Sequence, residues 1–383
     1  MLCWETTAFA SDQSTESLPF PVTPRREVTA FLRKEVSDLI ESVLKDFPED
    51  VYLTRISAKF YFECKEPLKS MVLLEEGLRY HPENFDLNNM AAKIAFQNGD
   101  YEKAIRFGQK TLMTHAKNPN TYEDLAEAML FSGHYLQAVE CLDKKIALLG
   151  GSERSYWLLG KGHMFLMNYE KAKEYYEKAK EYYGKAHQKN PSSLIVYYSN
   201  MAKVYMRLKQ PEKAKEYMKR HSEMVAVKKI QELENAKSKT DQVILDSSKN
   251  EVLIFSKGLV RLCNRGRTLY LDKQQPEKAE TLFKNSEDIF KKSITIAPQT
   301  PDIYREFADL YLATEKKLSE ALSLAQKASV LEASAENYFV LGRAYYKNSD
   351  LKSALWALEQ ALKREPNNSA IRNTYHAIVE MTR

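Results

Sequence analysis

The sequence predicts an all-α superhelix of tandem helix-turn-helix units. Three observations carry that prediction. Small residues recur in pairs at a constant spacing: Ala92 with Ala104, Ala126 with Ala138, Gly160 with Ala172, Ala202 with Ala214 and Gly342 with Ala354. Ala308 pairs with Ala321 in the same way, with one residue inserted. Ala92, Ala126 and Gly160 themselves repeat every 34 residues, a period typical of stacked repeats. Bulky residues keep step: Tyr122, Tyr156, Tyr198, Tyr304 and Tyr338 precede the small residue by three or four positions. Leu125, Leu159, Met201, Phe307 and Leu341 precede it directly. Turns such as Asn98-Gly99-Asp100 and Ser132-Gly133-His134 follow, and Pro48, Pro82, Pro191, Pro298 and Pro366 punctuate the units.

Each feature has a physical reason. Ala or Gly is expected where the two helices of a unit cross, because a larger side chain would force their axes apart. Leu and Tyr at i, i+3, i+4 and i+7 spacing form the apolar stripe. Proline cannot continue the helical hydrogen-bond ladder, so it separates one unit from the next. A single unit cannot bury its own apolar face, so neighbours stack into a quasi-one-dimensional array.

Composition agrees. Of 383 residues 44% are hydrophobic and 28% charged, with only 12 Gly and 13 Pro. A net charge of +5 is too small to mark a nucleic-acid or membrane surface by itself. No apolar run approaches the roughly 18–20 residues of a membrane span. Cys3, Cys64, Cys141 and Cys263 form no close pair, so they read as small buried residues in helices.

The chain divides into four parts. Residues 1–24, with Pro19, Pro21, Pro24 and a Ser/Thr-rich stretch, read as disordered. Ala8-Phe9-Ala10 before Ser11 has the small-residue pattern of a leader cleavage site, but no basic residues precede it and Glu5 interrupts it. A cytoplasmic setting is favoured, or a periplasmic or secreted one if residues 1–10 are a leader remnant. A first repeat block spans 25–221, opening with an amphipathic helix over 26–46. Residues 222–250 break the repeat and read as a long helix and hinge. A second block spans 251–383, with 369–382 as a capping helix. Two second helices are extended: 174–180 is nearly duplicated by 181–187, and a similar extension lies between Ala279 and Pro298. A seven-residue insertion adds almost two turns and keeps the apolar face in register, so both helices are expected to project beyond the stack.

No chemistry-bearing motif stands out. Phosphate-binding glycine loops and H-E-x-x-H are absent, and the seven histidines are scattered. We therefore expect no catalytic residue, no metal site and no cofactor. Glu123, Asp124 and Glu127 fall close together on one helix and read as a solvated charge run. Arg261, Arg265 and Arg267 near Gly266 read as a solvated helix face, or more sharply as an anion site.

The repeat positions resemble the tetratricopeptide repeat family. Unit 335–368 matches best, through Tyr338, Leu341, Gly342, Tyr345, Ala354, Leu358, Ala361 and Pro366, and the resemblance covers residues 50–368. It implies a right-handed superhelix (solenoid) acting as a protein–protein interaction scaffold or assembly adaptor. The first helix of each unit would line a concave groove. Mapped onto this sequence, that groove takes Arg55, Lys59 and Phe62, then Asn89, Lys93 and Phe96, then Glu123, Asp124, Glu127 and Phe131. Arg154, Trp157, Lys161 and Phe165 follow, then Asn200, Lys203 and Arg207, then Phe339, Arg343 and Lys347. Aromatics beside cations suit a protein or peptide partner with acidic segments. Some members hold a chaperone's terminal carboxylate with Lys, Asn and Arg. Here Met90 stands at the matching Asn position, and Asn120 and Asp124 stand where cations are needed, so that clamp is not supported. The pairs Tyr175-Tyr176 and Tyr182-Tyr183 offer a second surface, for docking or self-association. The alternatives are a helical-repeat RNA binder, which needs a basic inner face, and a non-catalytic regulatory arm of an enzyme complex. No nucleic-acid partner is expected.

Overall fold

The computed structural model describes residues 22–186, 191–236 and 240–381. Among these the chain forms eighteen α-helices and no strand. They run α1 (Val22–Asp46), α2 (Val51–Glu63), α3 (Pro67–Tyr80), α4 (Phe85–Gln97), α5 (Tyr101–Thr114), α6 (Pro119–Phe131), α7 (Tyr135–Leu149), α8 (Glu153–Phe165) and α9 (Tyr169–Ala186). They continue as α10 (Pro191–Arg207), α11 (Pro211–Ala236), α12 (Thr240–Asp272), α13 (Pro276–Ile296), α14 (Pro301–Thr314), α15 (Leu318–Leu331), α16 (Ala335–Lys347), α17 (Leu351–Arg364) and α18 (Ser369–Met381).

Local sequence sets the helix ends. Asp50, Asn84, Asp100, Ser152, Ser334 and Asp350 each accept a hydrogen bond from a backbone N–H in the first turn of the following helix. Pro67, Pro119, Pro276 and Pro301 open helices, where their missing N–H costs nothing. The small residues lie at the crossings. A Cβ on Gly160 would stand 2.5 Å from the Tyr176 ring, and one on Gly342 would stand 2.7 Å from Leu358. Ala126, Ala138, Ala172, Ala214, Ala308, Ala321 and Ala354 are fully buried. Cys64 and Cys263 are buried and Cys141 partly so, all three as free thiols.

The stacking order is not simply the chain order. Helix α12 packs on α1, α2, α13 and α14 rather than on α11. Val28, Leu32, Val36, Ile40 and Val43 of α1 share one core with Val252, Phe255, Leu259 and Cys263 of α12. Gly266 permits this approach: a Cβ there would meet Leu282 at 2.5 Å and Val43 at 3.2 Å. Arg265 of α12 binds both carboxylate oxygens of Asp50, which also caps α2. Tyr270 donates to Asp46 at 2.8 Å, and Lys278 pairs with the same carboxylate at 2.9 Å. So Arg265 links helices instead of facing solvent, and Arg267 lies over the Phe283 ring.

One further expectation changes. Helix α13 does not project: Ala279, Phe283, Ser286, Phe290 and Ser293 are buried along its whole length, because α1, α12 and α14 enclose it. Within 222–250, where a long helix and hinge are expected, α11 runs to Ala236 and α12 begins at Thr240. The leader-like stretch at 1–10 and the residues between α11 and α12 lie outside the described residues; of the segment 1–24 expected to be disordered, 1–21 lie outside them too and 22–24 open α1.

Candidate functional site

Helices α4, α6 and α8 are the first helices of three successive pairs. The 34-residue period sets them in nearly the same register, so matching positions line one inner face. Asn89, Lys93 and Phe96 of α4, Asp124 and Glu127 of α6, and Arg154 of α8 enclose a groove of about 490 Å³. Its floor is Ala92, Ala104, Gly108 and Leu125. These side chains are small enough to leave the space open.

The charges on this face are sorted. Arg154 donates to Asp124 at 2.7 Å and to Glu127 at 2.6 Å, so its guanidinium ties α8 to α6. Glu123 is no solvated charge: it is buried, with Lys145 at 3.2 Å. Burial alone would raise its pKa. Hydrogen bonds from Ser152 and Ser155, with the Lys145 ammonium, outweigh burial and hold the carboxylate below its usual range. Ser155 donates to Glu123 at 2.6 Å and receives a bond from Lys145 at 2.8 Å. The acidic run thus braces successive units.

Beside the groove lies an aromatic ledge. Tyr101 stacks on Phe131 at 5.1 Å, Phe96 meets Phe131 edge-on at 5.6 Å, and Tyr135 stacks on Phe165 at 4.5 Å. Phe131 and Phe165 remain 50% and 48% exposed. Lys161 lies across the ledge, its Nζ 4.5 Å from the Phe131 ring centroid and 4.8 Å from Trp157. Burial lowers its pKa, with Glu127 acting the other way. No carboxylate among the described residues forms an ion pair with it. Trp157 is only partly exposed, and its Nε1 is buried without a hydrogen-bond partner.

The other mapped residues lie apart from this groove. Arg55 sits over Tyr52 at 5.2 Å, and Lys59 pairs with Glu63 at 3.6 Å within α2. On α10, Asn200 is half-buried, while Lys203 and Arg207 are exposed and have no ion pair among the described residues. In the later units Arg343 pairs with Asp309 and Lys347 with Glu315, both at 2.5 Å. The inner face of α14 is closed, with Asp302, Arg305 and Glu306 all buried. Tyr176 is packed against Gly160, and Tyr182 is partly exposed. Tyr183 has no described side chain. A larger depression of about 690 Å³ lies between α1 and α3, with Leu68 and Val72 exposed on its wall.

Two ledge residues, Tyr101 and Tyr135, escaped the reading of first-helix positions because they open second helices. Their signal was present, since they too are 34 residues apart. Among the described residues no cluster suits a metal ion, and no helix is long and apolar enough to cross a membrane.

Sequence models described as tetratricopeptide repeat match residues 73–120, 153–185, 195–220 and 335–368. No curated protein matches the sequence. Among solved structures, MamA (41-end) from Desulfovibrio magneticus RS-1 is 18% identical; 47% of this chain and 98% of that one are covered, with a TM-score of 0.41. A tetratricopeptide repeat protein from Parabacteroides merdae is 14% identical, with 89% and 99% covered and a TM-score of 0.32. The APC/C hetero-tetramer Cut9-Hcn1 gives 13% identity, 91% and 53% coverage and a TM-score of 0.31.

Proposed function

Since this chain is a tetratricopeptide repeat protein, we propose that it is a protein-interaction scaffold whose partner segment lies along the inner face of α4, α6 and α8. The observation that carries this reading is the ledge of Phe96, Phe131 and Phe165 crossed by Lys161. It joins half-exposed aromatics to a cation that forms no ion pair with a carboxylate among the described residues. Aromatic anchors supply most of the binding energy in such interfaces, and a desolvated cation adds selectivity. The basic groups here without an ion pair among the described residues, Lys93 and Lys161, favour a partner segment with acidic residues over a neutral one. A nucleic-acid strand needs a row of free cations. Arg154, Arg343 and Lys347 are tied to carboxylates of the preceding unit, which supports protein over nucleic acid.

Photo-crosslinking in cells tests this reading. A benzophenone side chain at Phe131 or Phe165 should give one common crosslinked protein, and the same group at exposed Leu148 of α7 should not. Equal crosslinking from Leu148 would count against the groove.

A further inference from the structure

We propose that the groove recognises an internal acidic segment of its partner, with an Asp or Glu side chain placed on Lys161 and an adjacent aromatic or bulky apolar side chain on Phe131. This rests on the reading of the α4–α8 face as a binding surface and adds the chemistry of what binds there.

Lys161 is the residue that sets this preference. Its ammonium is half-buried between the Phe131 and Trp157 rings, with centroids at 4.5 and 4.8 Å. Ring faces replace part of the lost hydration of a cation but leave its charge unneutralised. Glu127, a carboxylate close enough to act on it, is held by Arg154 at 2.6 Å. A partner carboxylate is therefore the group this position lacks. The choice between a side-chain and a chain-terminal carboxylate follows from the donors on hand. A terminal carboxylate is captured by several convergent donors, best by a guanidinium fork. The fork of Arg154 is filled by Asp124 and Glu127, so it is not available. A single ammonium is a point charge that suits one flexible side-chain carboxylate. Lys93, which lines the groove beside this ledge and has no ion pair among the described residues, gives a second acidic residue a place to land. Phe96 lines the groove with Lys93 and meets Phe131, which lies under Lys161, so the complementary segment alternates acidic and apolar residues.

Two displayed libraries of random peptides test this on the full chain. In one library both peptide ends are fused to the carrier; in the other the peptide ends in a free carboxylate. The fused library should return sequences with Asp or Glu next to an aromatic or large aliphatic residue. A selected peptide, made with an amidated end, should lose at least about tenfold in affinity for Lys161→Met. It should lose as much when its own Glu is changed to Gln, a readout that does not depend on any variant folding. Affinity for Lys178→Met, a cation over Tyr175 outside the groove, should stay within about twofold of the parent. Binders only from the free-carboxylate library, or binders without Asp or Glu, overturn the proposal. If such binders still fail on Phe131→Ala, the groove reading survives on its own. Binding unchanged by both Lys161→Met and Phe131→Ala, or no binder from either library, overturns both.

Discussion

At the scale of single residues the second block carries an unusual burden. Asp302, Arg305 and Glu306 of α14 are all buried. Arg305 holds Asp302 at 2.8 Å, Glu306 at 3.1 Å and Asn337 of α16 at 3.0 Å. One guanidinium cannot compensate two buried carboxylates. Burial therefore raises the Glu306 pKa to about 7 against the attraction of Arg305 and of Lys257 on α12, and Asp309 adds to the rise. Glu287 goes the other way. Burial would raise it, but bonds from Lys291, Lys317 and Tyr311 bring it down to about 2. The signs differ accordingly. The native state binds the Glu306 proton more tightly than the unfolded chain, so this group's stabilisation is lost as pH rises from the unfolded value towards 7. The contribution of Glu287 is present above the unfolded value and is lost as pH falls towards 2. Glu306→Gln should therefore stabilise the protein at pH 8 by about 1–3 kcal/mol and flatten its stability between pH 5 and 8. Urea melts across that range measure it. A variant weakened equally at both ends would show that the carboxylate, not its charge, matters.

At the scale of elements the turns between paired helices share one device. Lys65, Gly99, Gly133 and Met167 stand 34 residues apart, and all have positive φ. Lys209, Gln274 and Ser349 fill the same place in later units. In each turn the next N–H reaches back to a carbonyl five residues earlier, as from Asp100 to Ala95 at 2.9 Å and from Asn168 to His163 at 2.8 Å. This left-handed closure suits glycine, and an L-residue there costs about 1–2 kcal/mol of local strain. Met167 is 73% exposed, so its side chain contributes little packing. Met167→Gly and Ser349→Gly should each stabilise by about 0.5–1 kcal/mol once the greater freedom of glycine in the unfolded chain is counted. A fall in stability for both would show that these turns are not strained. The period, the crossings and the helix ends were legible because they depend on residues within one unit. The fate of the groove cations was not, because it depends on the unit before. Arg154 finds its partners 30 and 27 residues upstream, and Arg343 finds Asp309 34 upstream. Lys161 and Arg154 look alike in the sequence, and only their neighbours across the stack separate a free cation from a structural one.

At the scale of the whole molecule α12, about two-thirds of the way along the chain, forms the junction of the stack. Nothing in the sequence announced this. Val252, Leu259 and Cys263 repeat at ordinary helical spacing, and an apolar stripe does not specify which helix will cover it. From α12 one arm runs through α2 out to α11, and the other runs through α14 out to α18. In a quasi-one-dimensional array each unit depends mainly on its neighbours, so stability should fall from the junction towards both ends. Hydrogen exchange should therefore be slowest in the buried parts of α1, α12 and α14. It should be much faster in α10 and α11, although α11 directly precedes α12 in the chain. Gly266→Val sharpens the test. Its side chain would be forced against Leu282 and Val43, where an added Cβ alone falls 2.5 and 3.2 Å away. Overpacking of this kind costs about 1–3 kcal/mol. The loss should appear as faster exchange in α1, α12 and α13, with α7 to α9 and α17 to α18 nearly unchanged. If protection instead drops evenly along the chain, the two arms fold as one cooperative body and α12 is not their separable joint.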